Sequence, residues 1–338
     1  MHFVSKKILI KRLKNHLQVH DLSFYPEVSG RVALYRLALA IRESGKTGIA
    51  LVPDYICNVV HVALEKAGFQ WHPYQTDKLL EPDSSEIESL LSSKKGGLLL
   101  VASIFGSSAF LENLNEKRIR DLFLLNDIHV IVDLCQDISL IKKVPSGYGK
   151  NLSVIVSFND KSFLGTMGGG ILSCLEIPKN ERKMTTKQVV SLYKILLHKW
   201  CFCFWEKTVS WIQYPLKKVD KMESVFPTPV TFEYSFCRSF PYEIKPLVVS
   251  KLQVIMALAG IHTLHLRYMK RKRFARKYSN VIRTMYFDSS PYLLIDGSLH
   301  GVQLKRKVKT SYALHHDPER SLHEDFKIIH NKGFCDGK

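Results

Sequence analysis

The residue with the clearest chemical potential is Lys161, in the stretch Val156-Ser157-Phe158-Asn159-Asp160-Lys161-Ser162-Phe163-Leu164-Gly165-Thr166-Met167-Gly168-Gly169-Gly170. It follows an apolar strand-like run and precedes three glycines, a setting suited to a reactive amine as well as to a solvated loop lysine. Upstream, Val130-Ile131-Val132-Asp133-Leu134-Cys135-Gln136 carries a carboxylate to the end of a second buried-looking strand. A neutral lysine amine is a nucleophile toward carbonyl carbon and a carrier of protons. A buried carboxylate can hold a heteroaromatic nitrogen in its protonated form. Pyridoxal 5'-phosphate (PLP) uses both services, one at its aldehyde and one at its ring nitrogen.

A phosphate also needs seating. Backbone N–H groups at a helix N-terminus favour anions, and Ser29-Gly30-Arg31-Val32 opens the first long helical pattern. Its glycine permits close approach, and Arg31 adds positive charge. Ser157 offers a hydroxyl at a strand end. Gln136, three residues past Asp133, is an amide in reach of a ring substituent. Tyr55 and Cys57, in Pro53-Asp54-Tyr55-Ile56-Cys57, follow another strand end and are candidates to cover a ring face.

The elements that must position these residues alternate from residue 30 to 175. Helical spacing is expected over Gly30–Ile41, Asn58–Ala67, Ser84–Leu91 and Glu116–Asn126. Strands are expected at Thr47–Val52, Phe69–Tyr74, Gly97–Ile104, Ile128–Val132, Ser153–Phe158 and Gly170–Cys174. Such alternation implies an α/β fold with an open, mostly parallel central sheet flanked by helices. In such sheets ligands sit beyond the C-terminal strand ends, where Asp133 and Lys161 fall. After residue 178 the pattern changes. A long aromatic-rich helix is expected over Thr185–Tyr214, an irregular proline-containing stretch over 215–245, a second long helix over Leu247–Val281, and one clear strand at Tyr292–Ile295. The expected division is a large α/β domain over 1–240 and a reduced C-terminal domain over 241–338.

Bulk properties narrow the classes. The chain has 338 residues, 46% of them hydrophobic, so a full core can be buried. No uncharged apolar run approaches the roughly 18 residues of a spanning helix, and the N-terminal stretch does not read as a secretory signal. The seven cysteines show no CxxC pair and suggest reduced thiols in a cytoplasmic protein. Cys201 and Cys203, and the triplet His315-His316-Asp317, lack companion ligands, so no metal is expected. The net charge of +18 favours anionic partners. The basic stretch Arg267–Lys277 belongs to no recognised nucleic-acid module. The segment 3–17 alternates apolar and basic residues. With the tryptophan-rich region at 198–211, it suggests peripheral association with the inner face of a membrane.

Taken in order, Ser29-Gly30-Arg31-Val32-Ala33-Leu34, Val52-Pro53-Asp54-Tyr55-Ile56-Cys57, Asp133-x-x-Gln136 and Ser157-Phe158…Lys161…Gly168-Gly169-Gly170 resemble the DegT/StrS-type sugar aminotransferases, which are fold-type I PLP enzymes. The resemblance covers residues 25–175 and extends more loosely to Leu247–Tyr278. It implies Lys161 as the Schiff-base lysine and Asp133 as partner of the ring nitrogen. Gln136 would touch the ring, Ser157 the phosphate, and Gly30, Arg31 and Val32 would bind phosphate through their amides. It further implies a homodimer with sites at the subunit interface. The expected reaction moves an amino group, usually from glutamate, onto a nucleotide-linked keto sugar in glycan or polysaccharide synthesis. Some positions depart from the pattern. The Ser157–Lys161 interval is one residue short, Cys57 stands where the family commonly has an aromatic ring stacker, and Phe240–Lys245 lacks the asparagine-containing loop by which family members reach the neighbouring subunit's cofactor. These departures keep two alternatives open: a PLP-fold binding or scaffold protein without turnover, and a basic protein that binds an anionic membrane surface or nucleic acid.

Overall fold

The computed structural model describes residues 6–17, 22–76, 82–93, 97–104, 108–145, 148–158, 168–179, 181–186, 188–190, 193, 244, 246–266 and 269, with four short strands inside 284–330. Three apolar runs form the centre of its main sheet: β4 (Gly97–Ala102), β5 (Ile128–Leu134) and β6 (Leu152–Ser157). Every residue of β4 and β6 is buried, as expected of strands covered on both faces. With β1 (Ser23–Glu27), β2 (Ile49–Pro53), β3 (Gln70–Tyr74) and β7 (Gly169–Ser173) they make a seven-stranded sheet in the order β1-β7-β6-β5-β4-β2-β3.

Strands β2 to β6 run parallel. β7 reverses direction beside β6, and β1 pairs antiparallel with β7. The mostly parallel α/β sheet expected from the alternation is present. Strand β1 and the reversal of β7 were not expected. The reversal has a functional consequence. It brings Gly169, at the start of β7, opposite Ser157 at the end of β6 and Glu27 at the end of β1. The last residues of β1, β2, β4, β5 and β6 therefore share one edge with the first residue of β7.

The helices follow from their capping and burial patterns. Helix α1 (Lys6–Leu17) turns Leu13 and Leu17 into the core. Helix α2 (Gly30–Glu43) starts where Ser29 Oγ accepts the Val32 N–H at 3.2 Å, and it buries Val32, Ala33, Leu37 and Ile41. Helix α3 (Asn58–Lys66) stops at Ala67 and Gly68, whose φ of +83° is the left-handed conformation that ends helices. Helices α4 (Ser84–Ser93), α5 (Ala109–Asn113) and α6 (Lys117–Leu125) complete the crossovers up to β5. Helix α7 (Lys251–His262) begins four residues later than its apolar pattern predicts. The cause is local: Ser250 and Gln253 form a reciprocal capping box there.

A buried ion pair ties β1 to α2. Arg36 Nη1 lies 2.5 Å from Glu27 Oε1, and both side chains are almost wholly buried. The same guanidinium donates to the carbonyl of Pro178. Burying such a pair is tolerable only with good geometry and further hydrogen bonds.

The chain divides into two compact units, one of Met1–Asn180 with Val249–Lys332 and one of Glu181–Val248 with Gly333–Lys338. In the second, Arg182 N donates to the Pro246 carbonyl and Val248 N to the Arg182 carbonyl, both at 2.9 Å. The first unit also contains a four-stranded antiparallel sheet in the order β10-β11-β9-β8, from β8 (Thr284–Met285), β9 (Leu293–Asp296), β10 (Lys309–Ser311) and β11 (Phe326–His330). The single strand expected at Tyr292–Ile295 thus has paired neighbours. Most of the helix expected over Thr185–Tyr214, and the end of the one expected to Val281, lie outside the described residues.

Candidate active site

Asp133 stands at the C-terminal end of β5, in register with Ala102 of β4 and Ile155 of β6. It is half-buried, and its Oδ1 accepts the backbone N–H of Cys135 at 2.8 Å. Burial raises its pKa, and the hydrogen bonds from Cys135 offset that only in part. Burial, and then the neighbouring Asp133 charge, push the Cys135 thiol well up. The pair is a desolvated acid beside a neutral thiol. A carboxylate in this condition is stabilised by any cation brought to it.

The N-terminus of α2 meets the same spot. A Cβ placed on Gly30 would stand 2.6 Å from Cys135 Sγ and 3.4 Å from Ser157 Cβ. Gly30, Cys135 and Ser157 therefore converge, and Cys135 ties the cluster to Asp133, two residues before it, through its backbone N–H. Three of the residues singled out in the sequence are brought together: Gly30, Ser157 and Asp133. Cys135 was not singled out. Its signal was position alone, between Asp133 and Gln136.

The glycine run has a packing role. A Cβ on Gly169 would come within 2.6 Å of the Val156 carbonyl oxygen, 2.8 Å of Gly30 N and 2.9 Å of the Ser29 carbonyl carbon. Only glycine lets the helix end lie this close to the sheet. Gly170 makes room for the Phe24 ring. Gly168 has φ +127°, and its carbonyl accepts the Phe158 N–H at 2.9 Å, so the residues flanking 159–167 are bonded to each other. Lys161 itself lies outside the described residues.

The remaining candidates divide. The Val32 N–H is already engaged by the Ser29 hydroxyl at 3.2 Å. Tyr55 is buried just past β2, and burial pushes its phenol up to about 12. Cys57 is exposed at the start of α3. Both sit at the strand-end edge, but β4 separates their strand from β5. Gln136 is half-buried beside Asp137, whose Oδ1 caps the 3-10 turn Ile138–Lys143 by accepting Ser139 N–H at 2.9 Å. Ser103, buried just past β4 and donating its N–H to the Asp133 carbonyl at 3.0 Å, is a polar group at this edge that the sequence reading did not single out. Among the described residues no three His, Cys, Asp or Glu side chains converge as a metal site.

A cradle that a single methyl would fill, a strand-end hydroxyl beside it and a desolvated carboxylate next to both fit the phosphate and ring nitrogen of PLP.

No protein-family model matches the sequence, and no curated protein matches it. Solved structures do match in shape. PseC from Helicobacter pylori, an aminotransferase involved in pseudaminic acid biosynthesis, superposes with a TM-score of 0.61 at 12% identity, over 97% of this chain and 86% of its own. A DegT DnrJ EryC1 StrS aminotransferase from Brucella abortus gives 0.60 at 13% identity, over 97% and 85%. Serine palmitoyltransferase from S. paucimobilis, solved with PLP and myriocin, gives 0.53 at 10% identity, over 96% and 71%. At such identities the likeness is one of fold, and the fold is that of the fold-type I PLP-dependent transferases.

Proposed function

We propose that this chain is a PLP-dependent aminotransferase that moves an amino group, with glutamate as donor, onto a keto sugar carried by a nucleotide diphosphate. The observation that carries the proposal is the convergence of Gly30, Cys135 and Ser157 beside the desolvated Asp133 at the strand-end edge. The shape likeness to an aminotransferase involved in pseudaminic acid biosynthesis and to a DegT DnrJ EryC1 StrS aminotransferase supports it further.

When bound, PLP supplies a carrier for the amino group and a sink for the electrons of the substrate carbon. The residues that would hold it are these. Asp133 would accept a hydrogen bond from the protonated ring nitrogen, whose positive charge would hold the carboxyl in the ionised state that burial disfavours. The Gly30 and Arg31 amides and the Ser157 hydroxyl would receive the phosphate. Lys161 would hold the aldehyde and, once released, carry a proton at the substrate Cα through its Nζ. That amine must be neutral to act, so its surroundings should lower its pKa by desolvation or nearby positive charge. Gln136, Tyr55 and Cys57 are second-rank contacts to the ring. The net charge of +18 suits a nucleotide diphosphate. A homodimer completing each site from both subunits belongs to the same proposal.

The test is an absorption spectrum of the purified chain with added PLP. A visible band that Lys161→Ala abolishes is expected. The band should change on adding glutamate, and amine should then pass to a keto-sugar nucleotide. A chain that stays colourless with PLP present refutes the proposal. A band without amine transfer to any keto sugar would instead establish the binding-protein reading, which the exposed Cys57 at the ring-stacker position favours.

A further inference from the structure

Helices α1 and α7 pack against each other in the first unit and bury their inner faces, α1 through Leu13 and Leu17, α7 through Val254, Ala257 and Leu258. Their outer faces have a distinct composition. On α1 the exposed positions are Lys7, Ile8, Lys11, Arg12, Asn15 and His16, an i, i+4 series down one side. On α7 they are Ile255, Ala259 and His262, continued at Leu266 and Met269. The rings of His16 and His262 meet at 4.3 Å, so the two outer faces form one surface. Large apolar side chains stand out from it: Leu266 is 69% exposed, Ile8 48% and Ile255 43%.

The charge on this surface has one sign. No Asp or Glu occurs in residues 1–20, where α1 carries five Lys or Arg, and none occurs in 244–287. A second copy of the chain would set like charges against each other. Nucleic acid would match the charge but leave the aliphatic side chains against phosphate. A bilayer containing anionic phospholipid accepts both: lysine and arginine at the headgroups, isoleucine and leucine just below them.

We propose that the α1/α7 face docks the protein peripherally on an anionic phospholipid surface. No helix among the described residues is long and apolar enough to cross a membrane, so the contact is interfacial. The inference stands independently of the aminotransferase reading, because no residue of this face belongs to the strand-end site.

The test is sedimentation of the full chain with vesicles of phosphatidylcholine, alone or mixed with phosphatidylglycerol. Binding is expected only to the mixture, and salt should weaken it as the Debye length falls. Lys7→Ala and Lys11→Ala should each lower the partition coefficient about fivefold. Leu266→Ser should lower it roughly tenfold while leaving the salt slope unchanged. Both kinds of substitution lie at exposed positions, so unfolding midpoints should match the parent. Arg12→Ala serves as a further charge variant if either lysine variant unfolds early. Absent binding, equal binding to neutral vesicles, or lysine variants that bind like the parent would each overturn the proposal. Displacement by duplex DNA together with an indifferent Leu266→Ser would replace the bilayer with nucleic acid.

Discussion

Replacing Gly169 by alanine is expected to destabilise the chain and weaken the proposed phosphate cradle at once. The new Cβ would lie 2.6 Å from the Val156 oxygen, 2.8 Å from Gly30 N and 2.9 Å from the Ser29 carbonyl carbon. All three are well inside the roughly 3.5 Å at which carbon contacts become favourable. All three are also backbone atoms, so no rotamer change relieves them. Overpacking a core typically costs about 1–3 kcal/mol, and with no side chain to yield, about 3 kcal/mol is the expected cost. For a chain of this size that lowers the melting temperature by roughly 4 °C. Relieving the Gly30 and Ser29 contacts requires the start of α2 to move away from the sheet, which draws Gly30 off Ser157 and Cys135, and relieving the Val156 contact requires β6 and β7 to shift as well. PLP affinity should therefore fall with stability. Gly170→Ala is the informative control, because its obstacle is the Phe24 ring, a side chain. Trimming the ring with Phe24→Leu should rescue Gly170→Ala but not Gly169→Ala. A Gly169→Ala protein that melts within about 1 °C of the parent and binds PLP equally well would refute the packing argument.

Two further substitutions test the electrostatics. Burial raises the Asp133 pKa, so between its unfolded and folded values the folded chain holds a proton that the unfolded chain has released. Its contribution to stability is present at low pH and is lost as pH rises through the folded value. Asp133→Asn should therefore stabilise the cofactor-free chain at neutral pH while weakening PLP binding by about 10- to 100-fold, the worth of a charged hydrogen bond; melting curves and PLP titrations that shift in the same direction would contradict this. Arg36→Met removes the guanidinium from the buried Glu27 carboxylate and should cost about 3–5 kcal/mol in urea unfolding, most of it recovered by adding Glu27→Leu; a cost below about 1 kcal/mol would show the pair to be dispensable.

The central strands were legible because β4, β5 and β6 lie between helical layers and are predominantly apolar runs. Strand β1 was not. Its sequence Ser-Phe-Tyr-Pro-Glu places a proline and a glutamate where a buried strand should be apolar. The glutamate is tolerated because Arg36, nine residues on, reaches back to it, a pairing between a strand and a helix that neither element's own periodicity shows. The direction of β7 was equally hidden, since side-chain alternation is the same for parallel and antiparallel strands. The late start of α7, by contrast, was readable in principle from Ser250-x-x-Gln253, a capping box that the apolar pattern from Leu247 overrides by eye.

The site shows the same division. Asp133 and Ser157 were recognisable because a polar side chain at the end of a buried strand needs a reason to be there. Cys135 was not, because nothing in its sequence distinguishes a thiol that touches a helix N-terminus from one that fills space. The glycines were noticed, but their purpose differs from the one their position beside Lys161 suggested. Gly169 and Gly170 act on α2 and Phe24, and through α2 they determine where Gly30 lies. The proposed phosphate seat would thus be specified from two places in the chain more than a hundred residues apart, by a glycine on the helix and a glycine on the strand that face each other. Neither residue alone would have placed it, and a side chain on either would close it.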